Sequence, residues 1–315
     1  MSDFKDYRIA VLLPCHNEAI AIAGVVKSYK DALPEATIYV YDNCSSDNTA
    51  EIAEKAGAVV RHEPQKGKGN VVRRMFADID ADIYLMSDGD ETYEATAAPK
   101  LVSLLIENNL DMVVGTRAPD DHLAVSRAGH RIGNEFLTRT VTTIFGKGFT
   151  DMLSGYRAFS RRFVKSFPAM ATGFETETEI TIHALSMNMP TGEVATRYFE
   201  RPEGSTSKLN TYRDGFRILG TIVRLLEHEK PLAFFGSIAS LLALLSLGLA
   251  IPLFDTYLAT GLVPRVPTAI LVTGMMILSF VSLTCGIILN SASRAHIENK
   301  RLCYLSYNPV RRCHK

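Results

Sequence analysis

Two carboxylates separated by one glycine, Asp88-Gly89-Asp90, stand just after the apolar run DIYLM at 82–86. With a flexible residue between them, both can turn toward a single cation at the end of a strand. Hard oxygen ligands suit Mg2+ or Mn2+, which bind through one or two carboxylates together with substrate phosphates. Such a cation would take up charge on a departing nucleoside diphosphate. Asp88 and Asp90 are therefore candidate metal ligands, and Asp90 a candidate catalytic residue. Nearby, Lys66-Gly67-Lys68-Gly69 forms a flexible basic stretch able to reach a diphosphate. Neither a G-x-G-x-x-G after the first strand-like run nor a G-x-x-x-x-G-K-S/T is present. The dinucleotide and P-loop alternatives thus lack their signatures.

The elements that must position these groups follow from periodicity. Apolar runs at 7–13, 37–41, 58–61, 82–86 and 112–115 predict strands. Helical patterns at 18–32, 49–56, 69–79 and 97–108 alternate with them. That alternation predicts an α/β domain with a mostly parallel sheet covered by helices. In such sheets ligands bind beyond the carboxyl ends of the strands. Polar stretches sit at four of those ends: Pro14–Glu18, Asp42–Asp47, Gln65–Asn70 and Ser87–Glu91. Each alone reads as a solvated loop; together they predict a nucleotide crevice.

Several segments now form a set: LLPCHNEA at 12–19, VYDNCSSDNT at 40–49, KGKGNVVRR at 66–74, SDGDE at 87–91 and GTR at 115–117. TDMLSGYRAFSR at 150–161, ERPEGSTSKL at 200–209 and a C-terminal pair of apolar runs complete it. In order and over nearly the whole chain, the set resembles inverting family-2 glycosyltransferases that make polyprenyl-phosphate sugars. Dolichyl-phosphate mannose synthase and bacterial undecaprenyl-phosphate glucosyltransferases belong to that group. The resemblance implies a GT-A nucleotide-sugar-binding domain followed by a two-helix transmembrane hairpin. It places Pro14, Asn17, Glu18 and Asp42 on base and ribose, with Lys68, Asp88 and Arg117 completing the nucleotide-sugar set. Asp151 takes the position where a base is considered, and Arg157 lines the reaction centre. Arg201, Ser205, Ser207 and Lys208 would meet the lipid phosphate. Tyr156 departs from the Phe of many relatives, a mild change.

Residues 231–254 and 266–293 carry no charge, and each run exceeds the roughly 20 residues that cross a bilayer as a helix. Beyond Lys230 the chain holds seven basic and two acidic residues, so the formally neutral chain splits into an acidic first part and a basic end. An acidic main domain does not suit a nucleic-acid partner. The tail from Arg294 has six Lys/Arg against one Glu, which predicts that it lies in the cytoplasm with the catalytic domain. The expected organisation is a catalytic domain over 1–210, an amphipathic interfacial helix over 211–230, and membrane helices near 231–254 and 266–290. A basic tail over 294–315 follows, and the whole is a multi-pass protein of the cell membrane. MSDFKDYRIA does not read as a signal peptide. Cysteines 15, 44, 285, 303 and 313 show no metal-binding or disulfide pattern.

A lipid phosphate needs cationic partners. Arg127 and Arg131, spaced i,i+4 in SRAGHRIGNEFLTRTVTTIF with Arg139 beyond, are candidates beside apolar residues for the lipid. His16 reads as structural or binding, and His130, His183 and His228 lack ligand spacing. Glu175, Glu177 and Glu179 suit the acidic first turn of a helix, one of them touching the acceptor side or orienting Arg157. The expected reaction moves one hexose from a UDP- or GDP-sugar to polyprenyl phosphate at the bilayer, with Mg2+ or Mn2+ as cofactor. Assembly as a homo-oligomer is left open. A processive polysaccharide synthase would need a larger membrane conduit. A nonenzymatic nucleotide sensor would leave the Asp88–Asp90 pair and the run after Thr150 without a purpose.

Overall fold

The computed structural model describes residues 4–117, 149–202 and 211–310, with the backbone alone over 211–218. Arg127, Arg131, Arg139, Ser205, Ser207 and Lys208 lie outside the described residues. The first four strands are β1 (Ile9–Cys15), β2 (Thr37–Asp42), β3 (Val59–His62) and β4 (Ile83–Met86). Each is followed by its helix: α1 (Ile22–Ala32), α2 (Thr49–Lys55), α3 (Lys68–Asp78) and α4 (Ala98–Glu107). Then come β5 (Met112–Arg117), β6 (Arg157–Ser160), α5 (Arg161–Ser166), α6 (Thr176–Ser186) and β7 (Thr191–Thr196). The strands form one sheet in the order β3-β2-β1-β4-β6-β5-β7. All pairings are parallel except those of β6, which lies antiparallel between β4 and β5.

Val11, Leu12 and Leu13 of β1 are fully buried because both faces of the sheet are covered. On one face Val11, Leu13 and Leu85 pack with Ile22 and Val26 of α1 and Leu101 and Leu105 of α4. On the other, Phe76 of α3 meets Tyr84, Phe159 and Phe167 edge-on. The first strand runs two residues beyond the expected Leu13. Pro14 stands opposite Tyr41, and the Cys15 carbonyl accepts the Asn43 N–H. Proline is tolerated there because pairing with β4 ends at Leu12↔Met86, so its missing N–H costs no ladder bond.

Two compact units divide the chain: one reaches Ile222 and takes in Lys300 onward, the other spans Val223–Asn299. The first therefore differs from the expected 1–210 domain with a separate tail. Asp111, wholly buried at the foot of β5, explains why. It accepts hydrogen bonds from Ser160 Oγ at 2.7 Å and Tyr304 Oη at 2.9 Å, and both Nε and Nη2 of Arg162 bond it. The Arg162 and Arg301 guanidiniums sit 4.7 and 5.0 Å from the Tyr304 ring centre, and Val310 enters the α1/α4 core. The tail is thus a packed strap. Asp111→Ala leaves the partly buried Arg162, Ser160 and Tyr304 without their shared acceptor and should cost about 3 kcal/mol; Tyr304→Phe should cost about 1 kcal/mol. The fall in Tm, followed by near-UV circular dichroism, ranks the two.

The last helices are α7 (Thr211–Glu229), α8 (Pro231–Thr260) and α9 (Val266–Leu305). Helix α7 fills the segment expected to be an interfacial helix. Helices α8 and α9 outrun the uncharged stretches, α8 running on to Thr260 and α9 past Arg294 to Leu305. They pair through small residues: Ser246 Oγ donates to Val272 O at 2.9 Å, and Ser279 Oγ to Ala239 O at 2.8 Å. Such residues let apolar helices approach closely. Leu244, Phe254, Leu258, Ile270, Phe280 and Ile288 all point outward. That is the reverse of a buried core helix in a soluble protein. Both helices are long and apolar enough to cross a membrane.

Candidate active site

The loops after β1 and β2 are stitched together by short polar side chains. Asn17 adopts a left-handed conformation (φ 53°), accepting from Ser46 N at 2.7 Å and donating its own N–H to Ser45 Oγ at 2.9 Å. The Glu18 N–H reaches Thr49 Oγ1 at 2.8 Å, and His16 Nδ1 lies 2.8 Å from the Asn43 carbonyl. His16 is therefore a tie between loops, as expected. Asn43, which sequence reasoning passed over, donates to Glu63 O and Gln65 O and accepts from Gly67 N. It gathers three strand ends. Asp42 is buried at the end of β2, its Oδ2 3.4 Å from Ser45 N and from His62 Nδ1. Its Oδ1 is buried with no hydrogen-bond partner among the described residues, which marks an acceptor held ready for a donor group. Pro14 lies half-buried in β1 itself.

Beyond β4 the chain turns sharply through Gly89. A side-chain carbon at that position would come 2.4 Å from Cys15 Sγ, so only glycine lets the turn press onto β1. Asp88 Oδ1 meets Lys68 Nζ at 2.5 Å, and the same ammonium meets Glu177 Oε1 at 2.6 Å. Burial alone would pull Lys68 down; the two carboxylates more than reverse this and hold it above its ordinary value. Asp90 is 3% exposed. Its Oδ1 accepts from Thr92 Oγ1 at 2.6 Å, and its Oδ2 pairs with Arg201 Nη2 at 2.6 Å. Arg201, expected on lipid phosphate, is thus found on Asp90.

The third part of the site is the loop 149–156. Arg117 grips Asp151 with two parallel bonds of 2.7 Å, Nε to Oδ2 and Nη2 to Oδ1. Burial lowers the Arg117 pKa, but the hydrogen-bonded Asp151 carboxylate outweighs it and the guanidinium stays above its usual value. Arg157, expected to line the reaction centre, lies beneath this loop. It is wholly buried, donating to Ser154 O at 2.8 Å, Met152 O at 2.5 Å and Thr181 Oγ1 at 3.0 Å. Burial depresses it to about 10. Arg157 therefore ties the loop 149–156 from beneath. Gly155 N donates to Tyr93 Oη at 2.9 Å, and a side-chain carbon at Gly155 would stand 3.0 Å from Asp88 Oδ2. The Tyr156 hydroxyl finds Glu94 O at 3.2 Å, which is why Tyr is harmless there.

The three acids of GFETETE divide their work. Glu179 accepts from the N–H groups of Met170 and Ala171, and Glu175 from those of Thr172 and Gly173. Glu177 alone faces the site, through Lys68. His183 is buried among Phe163 and Phe167, and burial lowers it to about 3, so it stays neutral. A cavity of about 540 Å³ opens beside Asp88, lined by Glu91, Tyr93, Glu94, Arg197 and Phe199 among others.

No group of three or more His, Cys, Asp or Glu among the described residues is arranged to hold a metal unaided. Two carboxylates already neutralised by Lys68 and Arg201 nevertheless fit a Mg2+ or Mn2+ ion that draws its remaining ligands from phosphate and water.

Comparison with known proteins bears on the family and the fold. The model for Glycosyl transferase family 2 matches residues 10–167. Glycosyltransferase AglJ of Haloferax volcanii is 38% identical over 244 residues, which are 77% of this chain and 80% of that protein. A dolichyl-phosphate hexose transferase of the same organism is 28% identical over 232 residues, 73% of this chain and 99% of its own. Among solved structures, glucosyl-3-phosphoglycerate synthase of Mycobacterium tuberculosis with Mn2+, UDP and phosphoglyceric acid superposes with a TM-score of 0.55. It is 23% identical and covers 70% of this chain and 78% of that one, a likeness of fold. With its GT-A-like sheet, its D-x-D turn and these matches, the chain belongs to glycosyltransferase family 2.

Proposed function

We propose that the chain transfers a single hexose, with inversion, from a UDP- or GDP-sugar to a membrane polyprenyl phosphate. The observation that carries the reading is the Asp88–Asp90 turn, flanked by Lys68 and by the Arg117–Asp151 pair, in a chain that also holds two outward-apolar helices. The relative named as a dolichyl-phosphate hexose transferase supports the acceptor class, and the Mn2+ and UDP of the solved neighbour support the donor and cofactor. The cavity beside Asp88, with its carboxylates and aromatic rings, suits a hydroxyl-rich sugar.

In this reading Asp42 accepts from the base or ribose, and the loops bearing Asn17 and Glu18 enclose the nucleotide. Asp88 and Asp90 would hold Mg2+ or Mn2+, which when bound stabilises the negative charge of the departing diphosphate. Lys68 lies beside the same turn and adds a fixed positive charge. The attacking group is a phosphate oxygen. A phosphate monoester has its second pKa near about 6, so it is already ionised at neutral pH and needs little help from a base. Asp151, with both oxygens bound to Arg117, suits positioning more than proton abstraction.

The membrane assignment follows the same logic. We infer that α8 and α9 cross the bilayer as a hairpin and that α7 lies at its surface. Residues 300–310 pack into the catalytic unit, so in this reading the two ends of the hairpin share one side. The basic excess beyond Arg294 makes that side the cytoplasm.

The test is a panel of UDP- and GDP-hexoses with polyprenyl phosphate and Mg2+ or Mn2+, reading lipid-linked product by mass. One donor giving a product one hexose heavier is expected; repeated extension, or nucleotide binding without transfer, contradicts the reading. Within it, Glu177→Gln should raise the donor KM about tenfold with little change in kcat, because Lys68 loses one of its two charged anchors. An unchanged KM would show that Lys68 needs only Asp88.

A further inference from the structure

Two residues break local rules at the same spot. Glu91 has a left-handed backbone (φ 60°), a conformation that suits glycine and that other residues adopt at a cost. Gly24 stands in the first turn of α1, where alanine would hold the helix better. The two departures meet. A side-chain carbon at Gly24 would come 3.0 Å from Glu91 Oε1 and 3.6 Å from Oε2, and its three nearest neighbours there are all atoms of the Glu91 carboxyl group. Glycine in the helix thus clears the place that the left-handed residue fills. No structural contact offsets either cost, because among the described residues Glu91 makes no hydrogen bond and no ion pair. Strain of this kind gathers where a side chain must be presented to a ligand.

Glu91 lines the cavity of about 540 Å³, together with Tyr29 of α1 and Ser87. Of the groups around Lys68, Asp88 alone reaches this space, which therefore lies on the α1 side of the turn. Ser87 and Tyr29 are each 1% exposed, and among the described residues Ser87 Oγ and Tyr29 Oη have no hydrogen-bond partner. Burial holds the Tyr29 phenol above its ordinary value against the pull of the neighbouring Ser87 and Tyr156 hydroxyls. Buried hydroxyls left open are uncommon, and here two line one cavity. The other carboxylates are placed differently. Glu94 already accepts from Thr96 Oγ1 at 3.0 Å and from Arg197 N at 3.1 Å. Glu200 is exposed, with no backbone departure to fix it. Arg197 lines the same space, which disfavours a cationic guest, while Tyr93 and Phe199 add aromatic surface. An ionised carboxylate only accepts, and it can take two hydroxyls side by side. Free acceptors, open hydroxyls and aromatic rings together suit a neutral sugar.

We propose that Glu91 selects the sugar: its carboxylate accepts from two adjacent hydroxyls of the donor hexose, and Ser87 and Tyr29 take a further hydroxyl. The ligand class is a neutral hexose with a neighbouring pair of hydroxyls. An analogue lacking one of them leaves a polar group of the site unpaired and is rejected. Gly24 is the matching positioning residue, since it sets where the carboxylate can lie. This rests on the hexose-transfer reading above and is independent of the acceptor.

The test uses the full chain in detergent with Mn2+, and calorimetric titration with UDP, GDP, UDP-glucose, UDP-galactose and GDP-mannose. Glu91→Gln is expected to weaken the preferred nucleotide sugar about tenfold, the worth of one charge-assisted hydrogen bond, and to leave the bare nucleoside diphosphate unchanged. Removing one hydroxyl of the pair from that donor should weaken binding to the unaltered chain by a similar factor, and should change little in Glu91→Ala. Gly24→Ala should weaken the same sugar by less than Glu91→Gln, with Tm unchanged or raised, because alanine favours the helix but crowds the carboxylate. A carboxylate kept only for folding gives the reverse, a lower Tm with sugar binding intact, and overturns the assignment. Equal loss for nucleotide sugar and bare diphosphate, or loss for neither, also overturns it, even if the chain makes lipid-linked hexose. Sugar-dependent loss in a chain that transfers nothing to lipid supports Glu91 and sinks the acceptor reading instead. If the unaltered chain binds no nucleotide sugar, the hexose-transfer reading falls, and this one with it.

Discussion

Asp88→Asn and Asp90→Asn are each expected to lower kcat about a thousandfold, while Asp151→Asn should lose no more than about tenfold. The difference comes from which charges change during the reaction. Asp88 and Asp90 stand where a cation must meet the leaving diphosphate, and that charge grows as the bond to the sugar breaks. Asp151 faces Arg117 with both oxygens, and the phosphate nucleophile is ionised before it arrives. Its loss loosens a loop without removing a step. The measurement is kcat for the three variants under saturating donor and lipid phosphate, with circular dichroism to establish folding. A loss at Asp151 equal to that at Asp88 would make it a base and reverse the assignment.

Arg157→Met should damage stability more than chemistry, costing about 3–5 kcal/mol. The guanidinium is wholly buried and supplies donors to Ser154 O, Met152 O and Thr181 Oγ1. Methionine fills much of the space but takes the arginine donors from the Ser154 carbonyl and from the Met152 carbonyl, which keeps Thr181 Oγ1 at 3.4 Å, and removes a charge that lies in the field of Glu177 and Asp151. Lysine is not a substitute, because one ammonium cannot reach three acceptors that a planar fork spans. The expected readout is a Tm far below that of the unaltered chain, with residual activity per folded molecule reduced less than in Asp88→Asn. A normal Tm with abolished turnover would instead give Arg157 a direct part in catalysis.

Much of the catalytic unit could be read from the residues because local and global signals agree there. The first five strands and four helices follow apolar runs and turn chemistry that are contiguous in sequence, and the polar strand ends fall where a parallel sheet requires them. Strands β6 and β7 were not read. RAFS is four residues long and TGEVAT is weakly apolar, so neither shows a period of its own. Each is made a strand by its neighbours, β6 by β4 and β5, and β7 by β5. The site shows the same division. Asp88, Asp90 and Lys68 announce themselves by spacing and position. Glu177 differs from Glu175 and Glu179 only in what the fold places opposite it, Lys68 rather than backbone N–H groups. Asn43 carries a cue, since it lies at the end of β2 among turn formers, but its side-chain partners Glu63, Gln65 and Gly67 all lie beyond the next strand, β3. The strap was least legible of all: basic residues after a membrane run suggest a solvated tail. Its packing depends on Asp111, about two hundred positions earlier, whose carboxylate accepts from Tyr304 Oη.

Transfer by the metal-stripped chain tests the central claim most directly. After chelation and removal of divalent ions, the full chain with its preferred nucleotide sugar and polyprenyl phosphate is expected to form no lipid-linked hexose detectable by mass. Adding Mn2+ or Mg2+ should restore it, and should fail to do so in Asp88→Asn. Full-speed transfer by the stripped chain, or restoration that ignores Asp88, would contradict the account.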